Sequence, residues 1–65
     1  MKTRNIEIRD ALRENSVYQY EVAEALNISE AKFSKMLRKE LTKKEKTIVL
    51  DTIRKVALKN MTEEV

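Results

Sequence analysis

Neither glycine nor proline occurs anywhere in the 65 residues. Chains ordinarily rely on these two residues to stop helices and to make tight turns. With both missing, and with Ala, Leu, Glu, Lys and Arg abundant, the sequence favours helix nearly throughout and gives no strand or hairpin signal. The question becomes where each helix stops.

Four helices are predicted. The first, over 3–14, places Ile8, Ala11 and Leu12 on one face and Arg9 and Arg13 elsewhere, and Asn15-Ser16 ends it. Ser16 followed by Gln19 has the S-x-x-Q form of a capping box, which predicts a second helix over 17–26 with Val22, Ala23 and Leu26 on its apolar face. Asn27 stands where the chain must reverse; after glycine, asparagine best tolerates the left-handed conformation that closes a helix. Ser29 then caps a third helix over 30–40. A second capping box, Thr42-x-x-Glu45, opens a fourth that runs to about 59. The expectation is a compact all-α bundle of four helices forming one domain over 1–60, with 61–65 as a short, acidic, frayed tail.

Composition narrows the chemistry. There is no cysteine and no histidine, so disulfides, thiolate chemistry and cysteine-based zinc sites are excluded, and the usual general base near neutral pH is missing. No enzyme, metal, cofactor or small-molecule ligand is expected. The longest apolar run, Ile48-Val49-Leu50, is far short of the roughly 20 residues that span a bilayer. MKTRNIEIRD lacks the apolar core of a secretory signal, so the expected location is cytoplasmic with no membrane partner. A domain this small is marginal as a lone monomer, which makes self-association plausible from length alone.

Charge is unevenly placed. Residues 32–46 hold Lys32, Lys35, Arg38, Lys39, Lys43, Lys44 and Lys46 against Glu40 and Glu45, a balance of +5 that leaves −2 on the rest of a chain whose net charge is +3. Such a stripe on a near-neutral body suits a polyanion, although lysines on a helix also form ordinary solvated faces. At 100° per residue, Phe33, Met36 and Leu37 cluster on one side of the third helix with Leu41 near their edge. Ala31, Ser34, Lys35 and Arg38 fall opposite, flanked by Lys32 and Lys39. Small residues let a helix approach a groove floor closely, and long cationic ones reach base edges and phosphates, a combination that suits the DNA major groove.

Residues 19–38, QYEVAEALNISEAKFSKMLR, resemble the helix-turn-helix of the Cro/C1-type, phage-repressor-like regulators. The resemblance is positional: Gln19 opens the second helix, Val22 and Leu26 are apolar, and Ala23 is the small residue where two helices cross. Asn27 takes the turn, where the family most often has glycine; Ile28 is apolar, and Phe33 and Met36 are core positions of the recognition helix. About a third of the chain is covered. The resemblance implies a lambda-repressor-like fold, with Gln19 contacting a phosphate and Glu30, Ala31, Lys32 and Lys35 facing bases or flanking backbone. The exposed face of the helix adds Ser34 and Arg38 as base contacts, Arg38 through planar donors that fit guanine or phosphate. Lys39, and Lys43 and Lys44 at the start of the fourth helix, are expected at phosphates. Glu30 has two readings: favourable charge at a helix N-terminus, or an acceptor for a cytosine amino group.

The leading expectation is therefore a small sequence-specific, repressor-like regulator of double-stranded DNA, of bacterial phage or mobile-element type, with recognition helix 30–40 in the major groove. The alternative is a helix-turn-helix-derived module that binds protein, an antirepressor or inhibitor, for which Glu30 and the acids Glu21 and Glu24 on the second helix are the best support. Tyr20 lies off its helix's apolar face, as a lid over the junction of the first two helices or as a phosphate contact. Val49, Leu50, Ile53, Val56 and Ala57 form the apolar stripe of the fourth helix, whereas Ile48 and Leu58 lie off its centre. The family usually adds a fifth helix next, and here Ile48 and Leu58 are expected to face a second copy in a homodimer.

Overall fold

A computed structural model describes residues 4–63 and gives four helices: α1 (Ile6–Glu14), α2 (Gln19–Ala25), α3 (Glu30–Met36) and α4 (Lys43–Glu63). No strand occurs among the described residues, and no helix there is long and apolar enough to cross a membrane. The first two helices close in the same way. Each ends on a residue in the left-handed region, Ser16 (φ 54°) after α1 and Asn27 (φ 63°) after α2. The amide of the next residue turns back: Val17 N–H donates to Leu12 O at 2.9 Å, and Ile28 N–H to Ala23 O at 2.9 Å. Ser16 N–H and Asn27 N–H donate to Arg13 O and Glu24 O, which completes a Schellman closure in each case. The closures drive Val17 into the core and Ile28 against it.

Asn27 thus takes the conformation expected of it, but Ser16 does not cap α2. With Ser16 spent on closing α1, the N-cap falls to Tyr18, whose own amide donates to Glu21 Oε1 at 3.0 Å. Gln19 becomes the first residue of α2 rather than its third, so the S-x-x-Q pattern is coincidental. Ser29 does cap α3, accepting from Lys32 N–H at 3.1 Å. Thr42 and Glu45 form the full box at α4, with Thr42 N–H donating to Glu45 Oε1 (2.9 Å) and Glu45 N–H to Thr42 Oγ1 (3.2 Å).

Helix α2 is shorter than the expected 17–26, since Tyr18 caps it and Leu26 closes it, and three limits differ in the other helices. Of the span 3–14 assigned to the first helix, residue 3 lies outside the described residues, Arg4 and Asn5 form a turn, and α1 begins at Ile6. α4 continues through Met61 to Glu63, so most of the expected tail is helix; Glu64 and Val65 lie outside the described residues. The third difference matters most, because α3 stops at Met36 instead of continuing to 40.

The Arg38 and Lys39 amides tighten onto Lys35 O and Met36 O, and Asn5 takes up the groups beyond them. In a continuing helix Leu41 N–H would donate to Leu37 O. The fully buried side chain of Asn5 comes between them: its Nδ2 donates to Leu37 O (3.0 Å) and Lys39 O (2.8 Å), while its Oδ1 accepts from Leu41 N–H (2.8 Å). Asn5 itself is left-handed (φ 56°), and its carbonyl accepts from Ile8 and Arg9 N–H to start α1. One residue therefore meets the beginning of α1 through its carbonyl, and the end of α3 and the approach to α4 through its side chain.

The core is continuous. Ile8, Leu12, Val17, Val22, Ala23, Phe33, Leu37, Leu41, Val49, Ile53 and Val56 are buried, with Ala11, Leu26, Ile28, Met36, Leu50 and Ala57 packed around them. Helix α2 packs on both α3 and α4, and α1 packs on α4. The 21-residue α4 is the spine on which α1 and α2 sit, and α3 is held against it through α2. Phe33 is the largest wholly buried side chain; truncating such a residue to alanine costs about 3–5 kcal/mol, a large share of a small domain's stability.

The two left-handed positions make a test with a definite sign. Ser16→Gly removes a Cβ from a position that disfavours one and is expected to raise stability by about 1 kcal/mol in urea unfolding. Were Ser16 an N-cap, the same change would lower stability by a few tenths.

Candidate nucleic-acid interface

The surface in question is built by α3 and its two flanks. On α3, Phe33 is buried and the following Leu37 seals the same side, so Ala31, Lys32, Ser34 and Lys35 are left exposed on the other. Glu30, the first residue of the helix, is exposed beside the cap Ser29. Arg38 and Lys39 are exposed too, but they lie in the turn after α3, where their amides reach back to Lys35 O (3.2 Å) and Met36 O (3.3 Å). Lys32 and Lys35 thus lie one turn apart on the exposed side of α3, and Arg38 follows in the closing turn. Lys43 and Lys44 are exposed in the first turn of α4. Gln19, half-buried, occupies the first position of α2.

The two acids of the basic segment are engaged in contacts of the fold, whereas Glu30 stays exposed on α3. Glu40, one of the two acids in the basic segment, accepts from Asn5 N–H through Oε1 (3.0 Å) and pairs with Lys46 through Oε2. Lys46 also reaches Glu7, at 3.2 Å to Oε2 and 3.3 Å to Oε1. The other acid, Glu45, is held by Thr42. Lys46 is therefore neutralised between two glutamates and does not belong to the outward cations. Among the described residues the ion pairs engage Arg13, Lys46 and Lys55, and none of them involves Lys32, Lys35, Arg38, Lys39, Lys43 or Lys44.

The shifts in proton affinity follow this wiring. Hydrogen bonds from Lys46 and from the Asn5 amide hold the Glu40 carboxyl below the usual glutamate range. Glu7 is lowered by its own backbone amide and then by Lys46. Glu45 is lowered by the amide and hydroxyl of Thr42. Lys46 is raised by its hydrogen bonds to Glu40 and then Glu7.

The acids of α2 point to a different neighbour. Glu21 uses Oε1 on the Tyr18 amide and Oε2 to accept from Asn60 Nδ2 at 2.9 Å, tying α2 to the end of α4. Glu24 lines a groove with Tyr20, Lys59 and Asn60 on the same side. Tyr20 lines a groove with Asn15, Ser16 and Tyr18 at the junction of α1 and α2. It is half exposed and stacks on Tyr18, with ring centroids 5.9 Å apart and planes within 10°.

Ile48 and Leu58 are exposed, at 51% and 64%. They do not form one patch: ten residues separate them, about 15 Å along the helix axis, and the Asp51–Lys55 ion pair lies in that interval. Leu58 instead neighbours Met61, one turn on and 69% exposed. Sequence reasoning missed Asn5 altogether and counted Lys46 only as one more cation of the basic stripe, without its two glutamates. Asn5 had one available signal, an asparagine standing just before an amphipathic helix; its partners 32 to 36 residues away had none.

Comparison with protein-family models, with curated proteins and with solved structures finds no match for this chain.

The Glu7–Lys46–Glu40 network gives stability a pH dependence on the acid side. Because both carboxyls are lowered in the folded state, the stability they contribute is complete above the ordinary glutamate range and is lost as pH falls through their lowered values. Lys46 acts oppositely, its contribution lasting through neutral pH and fading only as pH rises past the ordinary lysine range. Urea midpoints measured between about pH 5 and pH 3 are expected to fall less steeply in Lys46→Met than in the parent chain. Equal slopes would contradict the network.

Proposed function

We propose that the chain is a small sequence-specific DNA-binding regulator, repressor-like and resembling the Cro/C1-type proteins of bacterial phages and mobile elements, acting in the cytoplasm. The observation that carries this reading is the division of α3 into a sealed apolar side and an outward cationic side whose lysines are left out of the ion pairs of the fold. Seven residues make a helix about 10 Å long, which fits within a major groove about 12 Å wide. Lys35, at the middle of the exposed side, reaches base edges. Ala31 and Ser34 keep the helix close to the groove floor, and Lys32 flanks them. Arg38 and Lys39 lie at the groove rim, where Arg38 spans guanine or phosphate and Lys39 takes phosphate. Gln19 and the pair Lys43 and Lys44 contact the backbone on either side. Glu30 serves as favourable charge at the start of α3.

The chain acts as a homodimer in this reading, joined through the Leu58 and Met61 end of α4, so that two copies of α3 read half-sites about 34 Å apart. The protein-binding alternative rests on Glu30, Glu21 and Glu24, and Glu21 is already committed to Tyr18 and Asn60.

Selection from random double-stranded DNA is the direct test, with enrichment of a palindrome whose half-sites lie one helical turn apart as the expected result. No enrichment would sink the proposal. On the selected site, Lys35→Ala is expected to weaken binding by about 1–3 kcal/mol and to relax preference at one base pair. Lys43→Ala is expected to weaken binding to all sequences alike and to reduce the slope of log K against log salt by about one. Sedimentation showing a clean monomer with and without that DNA would remove the dimer.

A further inference from the structure

We infer that Asn5 is a positioning residue for the proposed DNA surface, although it lies in the interior and touches no part of that surface's outer face; the inference rests on the DNA-binding reading. The starting point is a substitution of one hydrogen bond by two. Leu37 O and Leu41 N–H are the acceptor and donor that would carry α3 through another turn. Both are taken instead by the two ends of one side-chain amide, at 3.0 and 2.8 Å. The second Nδ2 hydrogen goes to Lys39 O at 2.8 Å. The carbonyls on either side of Arg38 are thereby nearly fixed, since Leu37 O and Lys39 O answer to the same nitrogen atom.

This has a geometric consequence. In a longer helix Arg38 and Lys39 would continue the spiral of α3, and Lys39 would rotate about 100° beyond Arg38. In the clamped turn both are exposed at the end of α3, and Leu41 drops into the core so that α4 can begin at Lys43. The clamp therefore sets the spacing between two groups of cations, Lys32, Lys35 and Arg38 on one side and Lys43 and Lys44 on the other. Phosphates on a duplex stand at fixed intervals, so cations held in place beforehand bind them without losing freedom at the moment of contact. Glu40 reinforces the arrangement, because its carboxylate holds the Asn5 amide and Lys46 together. Asparagine is suited to the position twice over: it tolerates the left-handed φ of 56°, and it alone among residues that do so supplies a donor pair and an acceptor on one short stem.

The test is a double-mutant cycle on the selected DNA site. Asn5→Gly keeps the left-handed backbone and removes the amide; Arg38→Ala removes the cation; the double variant carries both. Each is examined at low temperature where circular dichroism shows it folded. The expected results are a change in the Cα chemical shifts of residues 38–40 in Asn5→Gly, an operator affinity about tenfold weaker, and a much smaller cost of Arg38→Ala in the Asn5→Gly background than in the parent chain. A role confined to stability would lower the melting temperature and leave the folded state's affinity and the shifts at 38–40 unmoved, which would overturn the inference. Additive substitutions would overturn it as well while leaving DNA binding standing. Absence of any selected site overturns the functional reading and this inference together. Should Asn5→Gly not fold, Asn5→Asp, which keeps the acceptor for Leu41 and loses both donations, is read in the same way. Should neither fold, amide exchange in the parent chain decides: protection of the Leu41 amide equal to that of the α3 interior is required, and a freely exchanging one overturns the proposal.

Discussion

A single buried amide organises this protein. The side chain of Asn5 satisfies two carbonyls and one N–H, and all three belong to the segment that leaves α3 and enters α4. Buried polar groups without partners cost about 1–3 kcal/mol each, so the clamp and the segment depend on one another. Asn5 could not be buried without those partners, and the partners could not be dry without Asn5. In a chain lacking glycine and proline, this long-range device helps to end α3, as a local helix breaker does elsewhere.

The proposed binding surface arises from how folding distributes charge. Glu40 and Glu7 close on Lys46, Glu21 joins Tyr18 to Asn60, and Glu45 caps α4. Each carboxylate thereby serves an internal contact. The cations of α3, its closing turn and the first turn of α4 form no ion pair among the described residues, so positive charge is left outward on this side with Glu30 as the exposed acid of α3. Exposed ion pairs contribute little to stability. The main effect of this wiring is on where positive charge remains.

Much of the architecture was legible because it depends on local rules. The period of Ile8, Leu12, Val22, Phe33, Val49, Ile53 and Val56 placed four helices and their inner faces, and the pairs Ser29 with Lys32 and Thr42 with Glu45 act within one turn. Asn27 was readable for the same reason, since its left-handed φ follows from residue type at a chain reversal. Ser16 was misread because one residue can end a helix or begin the next, and only the packing of Val17 decides between them. The end of α3 was misread because local periodicity continues through Leu37 and Leu41, while the atoms that take up Leu37 O and Leu41 N–H come from the other end of the chain. The basic face could be drawn from sequence, but the removal of Lys46 and Glu40 from it could not, since both depend on Glu7 and Asn5.

The account stands on DNA meeting the face made by α3 and its flanks, and residue-resolved NMR during titration with a selected duplex examines that face directly. The expected result is that amide shifts change at Gln19, through Glu30–Met36, at Arg38 and Lys39 and at Lys43 and Lys44, while Arg9, Arg13 and Lys55 stay unmoved. Changes centred instead on Tyr18, Tyr20, Glu24 and Met61, or no changes at all, would contradict it.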